Sequence, residues 1–309
     1  MFKYSDTNKR YYTLDYFYKH KFNSKVFKVS LNAGFTCPNK DGTVGVGGCI
    51  YCSKTGSGEY AGDKTKDLVT QFNEVKELML HKWPNAKYIG YFQANTNTYA
   101  PVSILKEKYE SILSLDNVVG LNIATRSDAI SDECLNYLEK LNKKTYLTIE
   151  LGLQTIHERT SILINRCHTL DNFTEMVKKL RERNIDVVVH IINGLPYETK
   201  DMMIETVKYL SKLDIQGIKI HALSILKETA LEKMYNETHF KTLSRDEYIN
   251  IVCDQLEYLR EDIVVHRITG DPKVDDLVEP EWLIKKVTIL NDIDKEMKKR
   301  DSYQGIKYK

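Results

Sequence analysis

The 309-residue chain is predicted to be an α/β protein, a partial (β/α) barrel of six or seven parallel strands with N- and C-terminal extensions. Three observations predict it. Short β-branched, apolar runs alternate with longer amphipathic segments over about 240 residues, the rhythm of parallel strands joined by right-handed crossovers. Several of the amphipathic segments open at good helix caps. The most distinctive residues of the chain follow the ends of the strand-like runs, where barrels and open doubly wound sheets alike carry their sites. An open doubly wound sheet is the alternative architecture.

Strands are expected near Val26–Leu31, Tyr88–Phe92, Val118–Ala124, Tyr146–Leu151, Val187–Ile192 and Gly217–Leu223, with a short one near Ile263–His266. Helices are expected over Leu68–His81, Val102–Leu115, Asp132–Leu141, Asp171–Arg183, Lys200–Leu213 and Arg245–Leu259, with Ser131 and Ser244 as caps. The division expected is a basic, aromatic extension over residues 1–25, the barrel over 26–270, and a basic helical extension over 271–309. There is no internal repeat and no low-complexity linker.

Composition narrows the class. An apolar fraction of 42% supports a sizeable core, and 15 Gly with 6 Pro exclude collagen-like chains. No apolar run approaches the ~18 residues a membrane helix needs, and the first thirty residues hold no signal-peptide block. A cytoplasmic location with reduced thiols is therefore expected, and clustered cysteines are expected to bind metal or react rather than pair. The net charge of +2 is uneven: residues 1–28 carry seven basic against two acidic side chains, and residues 285–309 carry eight against four. The N-terminal cations are interleaved with Tyr4, Tyr11, Tyr12, Tyr16, Phe17, Tyr18 and Phe22. Such a mixture suits RNA, through phosphate contact and base stacking, or two solvated chain ends with the rings packed down as a lid.

The most specific motif follows the first strand: Cys37, Cys49 and Cys52, separated by a segment with Gly42, Gly45, Gly47 and Gly48 that cannot be helical. Two metals fit. Zinc wants a fourth ligand, with His20 and His81 the nearest candidates. A [4Fe–4S] cluster held by three thiolates keeps one iron open, which implies chemistry rather than scaffold. Tyr51, directly before Cys52, is placed to shield the sulfurs from water. Cys134 and Cys253 fall on apolar helical faces and are expected in the core.

A cysteine triad on this loop, with an aromatic residue before the last cysteine, resembles the radical SAM superfamily. The strings FTCPNKDGTVGVGGCIYC and FQANTNTYAP are similar to its YhcC/YtqA-like branch, related to the radical SAM core of the Elongator catalytic subunit. The resemblance runs from about residue 10 to residue 290. It implies that Cys37, Cys49 and Cys52 hold a [4Fe–4S] cluster whose fourth iron is chelated by S-adenosylmethionine, the source of a 5′-deoxyadenosyl radical. Further motifs imply the cofactor contacts. Gln93 and Asn95 lie in a polar turn standing where the superfamily carries a Gly-Gly-Glu-like turn for the methionine ammonium. Glu150 and Gln154, in Glu-Leu-Gly-Leu-Gln, resemble residues that contact the ribose hydroxyls or the methionine. Arg166 resembles one that pairs with the methionine carboxylate. Asn193 and Leu223 stand where the family frames the adenine.

Arg126, in Thr-Arg-Ser-Asp, and Arg267, before Thr269-Gly270-Asp271, are the substrate-facing, catalytic candidates. Read without the resemblance, Arg126 pairs with Asp128, Glu150 is an inward charge paired with Arg166, and His190 and His221 are core histidines. Cys167, replacing a glycine of the pattern, is expected to pack rather than ligate. The Elongator relation implies a tRNA partner, bound at the anticodon arm, and work on the 5-substituent of the wobble uridine, from carboxymethylaminomethyl to aminomethyl. It also implies a flavodoxin- or ferredoxin-type electron donor, and it gives weight to RNA contact by the basic, aromatic ends. No acetyltransferase domain is expected, hence no acetyl-CoA chemistry. The rival readings are the same radical engine acting on a small molecule or protein, and a non-enzymatic, metal-bearing RNA-binding protein.

Overall fold

The computed structural model describes residues 2–56, 58, 60–80 and 82–309. Seven strands, β1 (Val26–Leu31), β2 (Lys87–Phe92), β3 (Val118–Thr125), β4 (Tyr146–Gln154), β5 (Asp186–Asn193), β6 (Gly217–Ala222) and β8 (Val264–Arg267), form one parallel sheet in the order β1-β2-β3-β4-β5-β6-β8. That order, with every neighbour parallel, is a half-barrel and not a doubly wound sheet, whose order reverses at a switch point. Two short strands, β7 (Ile225–Leu226) and β9 (Leu277–Glu279), pair antiparallel beside it. The expected strands hold within a few residues, and β4 runs three residues further, to Gln154.

The helices are α1 (Leu14–Phe22), α2 (Leu68–Leu80), α3 (Val102–Leu113), α4 (Asp132–Asn142), α5 (Glu158–Leu163), α6 (Leu170–Arg181), α7 (Lys200–Leu210), α8 (Ala230–Thr238), α9 (Arg245–Tyr258) and α10 (Lys286–Lys299). Ser131 caps α4 by accepting from the Cys134 amide, and Ser244 with Glu247 forms a full capping box on α9. Helices α1, α5 and α8 were not expected from periodicity, each being at most nine residues long.

Period-2 alternation sorts the strand residues. Leu147, Ile149, Leu151 and Leu153 of β4 point to the helix layer, as do Val187, Val189 and Ile191 of β5 and Ile218 and Ile220 of β6; with the helices' apolar stripes they make the main core. Cys134 and Cys253 lie buried within that core. The alternate positions, among them Glu150, His190 and Lys219, face the concave side.

The N-terminal stretch closes the seam. Tyr12 O accepts from the Val265 amide, Thr13 bridges to Val265, and α1 packs against both edge strands, β1 and β8. Its rings stack on one another, Tyr4 on Tyr12 and Tyr16 on His20, while Lys21 lies over Tyr146 at the first residue of β4. Most of its cations are paired: Lys3 with Glu261, Lys9 with Asp294, Arg10 with Asp301, Lys19 with Asp6 and Lys25 with Asp15. This is the end of the barrel where strands begin, opposite the end where the cysteine loop leaves β1. These residues pack down over the end of the barrel where the strands begin, as the lid alternative expects. Helix α10 likewise contributes Ile289, Ile293 and Met297 to the main core.

Candidate active site

Two glycines let the cysteine loop fold. A Cβ on Gly45 would sit 2.1 Å from Asn39 Oδ1 and 2.8 Å from Cys167 Sγ, so only glycine admits that approach. Asn39, fully buried, donates through Nδ2 to Asn165 O at 2.6 Å and towards Cys49 Sγ at 3.6 Å, tying the loop to the segment after α5. Gly48, at φ +79, turns the chain into Cys49. Burial pushes the Cys49 thiol up, against hydrogen bonds from Tyr51 and Asn39 and the charge of Arg126. Tyr51 hydrogen-bonds Cys49 and packs with the second apolar cluster around Leu195, Leu223 and Ile225.

One cavity at the strand ends is lined by all three cysteines together with Gln93, Asn95, Arg126, Glu150, Gln154, Arg166, Leu223 and Arg267. Asn193 is the predicted site residue that does not line it. Its side-chain amide exchanges hydrogen bonds with Gln255 of α9, both at 2.8 Å. Gly194, at φ +87, then turns the chain away, Pro196 lies in the turn that follows, and Thr199 caps α7.

Several side chains around the cavity are already engaged within the chain. Arg126 makes a two-pronged pair with Asp128, at 2.9 and 2.7 Å, while still lining the cavity. Arg166 does not meet Glu150. Its guanidinium donates to Leu153 O, Thr155 O and, twice, to His168 O, so it organises the turn after β4 from within. Gln154, at φ +68, sits at an irregularity in the β4–β5 register that turns it to the cavity. Ala94 and Asn95 are also left-handed, and Asn95 is held by Phe35 O at 3.1 Å. Cys167 takes φ +63, which accounts for glycine in the related pattern; it is exposed, with its sulfur against Gly45.

The floor of the concave face is a network that the motifs did not reveal. Glu150, enclosed, accepts at Oε1 from Asn122 (2.7 Å) and Lys28 (3.0 Å), and at Oε2 from His190 (2.8 Å) and Lys219. Lys219 also donates to Tyr91 Oη at 2.9 Å, and Lys28 reaches His266 Nδ1 at 3.2 Å. One side chain from each of the seven strands thus joins the layer. Burial alone would raise the Glu150 carboxyl, but Lys219 and Lys28 with the His190 hydrogen bond hold it well below the usual carboxylate range. Burial pushes His190 down to about 4, helped by Lys219, so its ring is neutral at pH 7. The signal for this layer was present: polar residues at alternate positions of strands otherwise made of Val, Ile and Leu.

The donor set fits the group the cysteines suggest. Three thiols on one loop line a single cavity, and His20, one of the two candidate fourth zinc ligands, sits on α1 at the far end, its Nδ1 on Tyr16 O. His81 lies outside the described residues. Among the described residues no three His, Cys, Asp or Glu side chains converge as a single ion would need.

A half-barrel with a three-thiol cradle at its mouth defines a class of metal-cluster enzymes. The chain belongs to the radical SAM superfamily, whose signature matches residues 39–210, followed by a Radical SAM C-terminal domain over 215–299. It is 53% identical to YtqA of Bacillus subtilis over 304 residues, 98% of this chain and 94% of that one. A partial likeness, 26% over 137 residues, joins it to a tRNA uridine(34) acetyltransferase of Methanocaldococcus infernus, covering 43% of this chain and 25% of that one. Among solved structures, the archaeal Elp3 of M. infernus with an N-terminal deletion superposes with a TM-score of 0.68 at 17% identity, over 91% of this chain and 64% of that one. The superfamily implies a [4Fe–4S] cluster and S-adenosylmethionine. No helix of the described residues is long and apolar enough to cross a membrane.

Proposed function

We propose that the protein is a radical SAM enzyme that modifies the 5-substituent of the tRNA wobble uridine, converting carboxymethylaminomethyl to aminomethyl. The observation that carries the radical chemistry is the joint lining of one cavity by Cys37, Cys49, Cys52 and the β2, β4 and β6 residues. The tRNA reading rests on the resemblance to the Elongator core and on the partial likeness to a tRNA uridine(34) acetyltransferase. Cys37, Cys49 and Cys52 would hold the cluster, with Gln93, Asn95, Gln154 and Leu223 around S-adenosylmethionine. When bound, this pair supplies a 5′-deoxyadenosyl radical able to take hydrogen from an unactivated carbon.

The chain's own residues exclude water and orient. Tyr51 covers Cys49, Arg166 fixes the turn that carries Gln154, and the Glu150 network gives a rigid floor. A methylene beside a secondary amine suits such a site, because nitrogen stabilises the carbon left after hydrogen removal; with S-adenosylmethionine as the two-electron oxidant, loss of the second electron would give an imine of the substrate, and its hydrolysis by water would break the C–N bond and release the amine and glyoxylate. Arg126 and Arg267 stand at the cavity wall as substrate contacts. The test is S-adenosylmethionine cleavage under dithionite with hypomodified tRNA, followed by nucleoside analysis. Loss of carboxymethylaminomethyluridine with gain of aminomethyluridine is expected; cleavage with an unchanged nucleoside profile sinks the substrate assignment.

A further inference from the structure

The concave floor carries more positive charge than it can pair. Lys28 and Lys219 share one carboxylate, Glu150, whose two oxygens already accept from four donors and have no room for a ligand's hydrogens, while the charge of Arg267 bears on both lysines. Arg267 pairs with Lys219 in the β6–β8 register and lines the cavity. Its closest carboxylate, Asp271, is 4.0 Å away and is held by Lys286 at 2.6 Å. His221, on the same strand and face as Lys219, lines the cavity with a buried Nε2 that has no hydrogen-bond partner.

We propose that this corner of the cavity, between Lys219, Arg267 and His221, receives a carboxylate of the substrate. The inference rests on the wobble-uridine reading for the identity of that carboxylate, the carboxymethyl end of the substituent. The chemistry fits an acceptor-only planar anion. Lys219 and Arg267 are register partners on adjacent strands, about 4.8 Å apart at the backbone, so both line the same corner. Burial pushes the Lys219 ammonium down to about 7, with Lys28 and Arg267 adding to the push against the pull of Glu150; a second carboxylate would relieve that strain.

The test uses the protein with its cluster reconstituted anaerobically and S-adenosylmethionine bound, without reductant, so that binding is read in the absence of turnover. The probes are the nucleoside 5-carboxymethylaminomethyluridine, its carboxamide, and inorganic phosphate, followed by calorimetry. The acid is expected to bind about tenfold tighter than the amide. Lys219→Met and Arg267→Met should each erase most of that preference, weakening the acid far more than the amide, with circular dichroism unchanged. Arg267→Met spares the Glu150 network, so it serves if Lys219→Met does not fold. An acid no tighter than the amide, including no binding of either, overturns the proposal, and so does phosphate competing as well as the acid. A tRNA left unconverted while the preference for the acid persists would sink the substrate reading and leave this site standing.

Discussion

The two ends of the barrel use the same residue types to opposite effect. Where the strands begin, lysines and tyrosines of the N-terminal stretch neutralise and cover one another: Lys19 pairs with Asp6, Lys25 with Asp15, and Tyr4 stacks on Tyr12. Further along the same strands, Lys28 and Lys219 share a single carboxylate beneath the cysteine loop, with the charge of Arg267 bearing on both. The first arrangement is closed and self-satisfied, so it stabilises the fold. The second leaves charge and donors unspent, which is what a site retains for a ligand. Composition cannot separate them, since a lysine beside a tyrosine reads the same in both. Only the position along the strand decides.

The largest expected contrast comes from the mouth. Cys49→Ala should abolish S-adenosylmethionine cleavage and bleach the iron–sulfur band while far-UV circular dichroism stays that of the wild type; full turnover in this variant would refute the ligand set. Next is the floor. Glu150→Gln removes the charge that Lys28 and Lys219 share, and breaking a buried pair in this way costs about 3–5 kcal/mol. Urea unfolding should show that loss, and an unchanged midpoint would mean the network carries no stability.

The pH dependence gives a smaller effect of fixed sign. Burial holds His190 and His168 at about 4, below the ordinary 6.5 of an unfolded chain. Between those values the unfolded state binds the extra protons, so stability falls as pH drops from about 6.5 towards 4. Thermal midpoints at pH 7 and pH 5 check this, and a flat or rising profile on acidification would contradict it. At the N-terminal lid the smallest effect is expected. Lys19→Ala and Lys3→Ala break exposed pairs, and neither should alter tRNA retention in a filter-binding titration; a marked loss would place the N-terminal stretch in the RNA surface.

Much of the fold was legible because parallel strands buried on their helix side announce themselves as Val, Ile and Leu runs, and because Ser131 and Ser244 cap helices by local chemistry. The cysteine loop was legible for the same reason: its ligands are close in sequence. The floor network was not, since Lys28, Glu150 and Lys219 come from strands far apart in the chain and meet only when the sheet curls. Arg166 shows the limit of a motif. The pattern places it at the cavity, which it does line, but no motif announces that three backbone carbonyls, brought close by the turn after β4, take most of its donors. Asn193 was placed by the family resemblance, and α9 supplied Gln255 as a partner that no local pattern reveals.

The central claim is that three cysteine sulfurs hold an iron–sulfur cluster with one iron left for S-adenosylmethionine. It is tested most directly by metal analysis of anaerobically reconstituted protein, together with the electron paramagnetic resonance spectrum of the reduced form. About four irons and four sulfides per chain are predicted, with a spectrum that changes when S-adenosylmethionine is added. A colourless protein holding one tetrahedral zinc, or a cluster whose spectrum ignores S-adenosylmethionine, would contradict it.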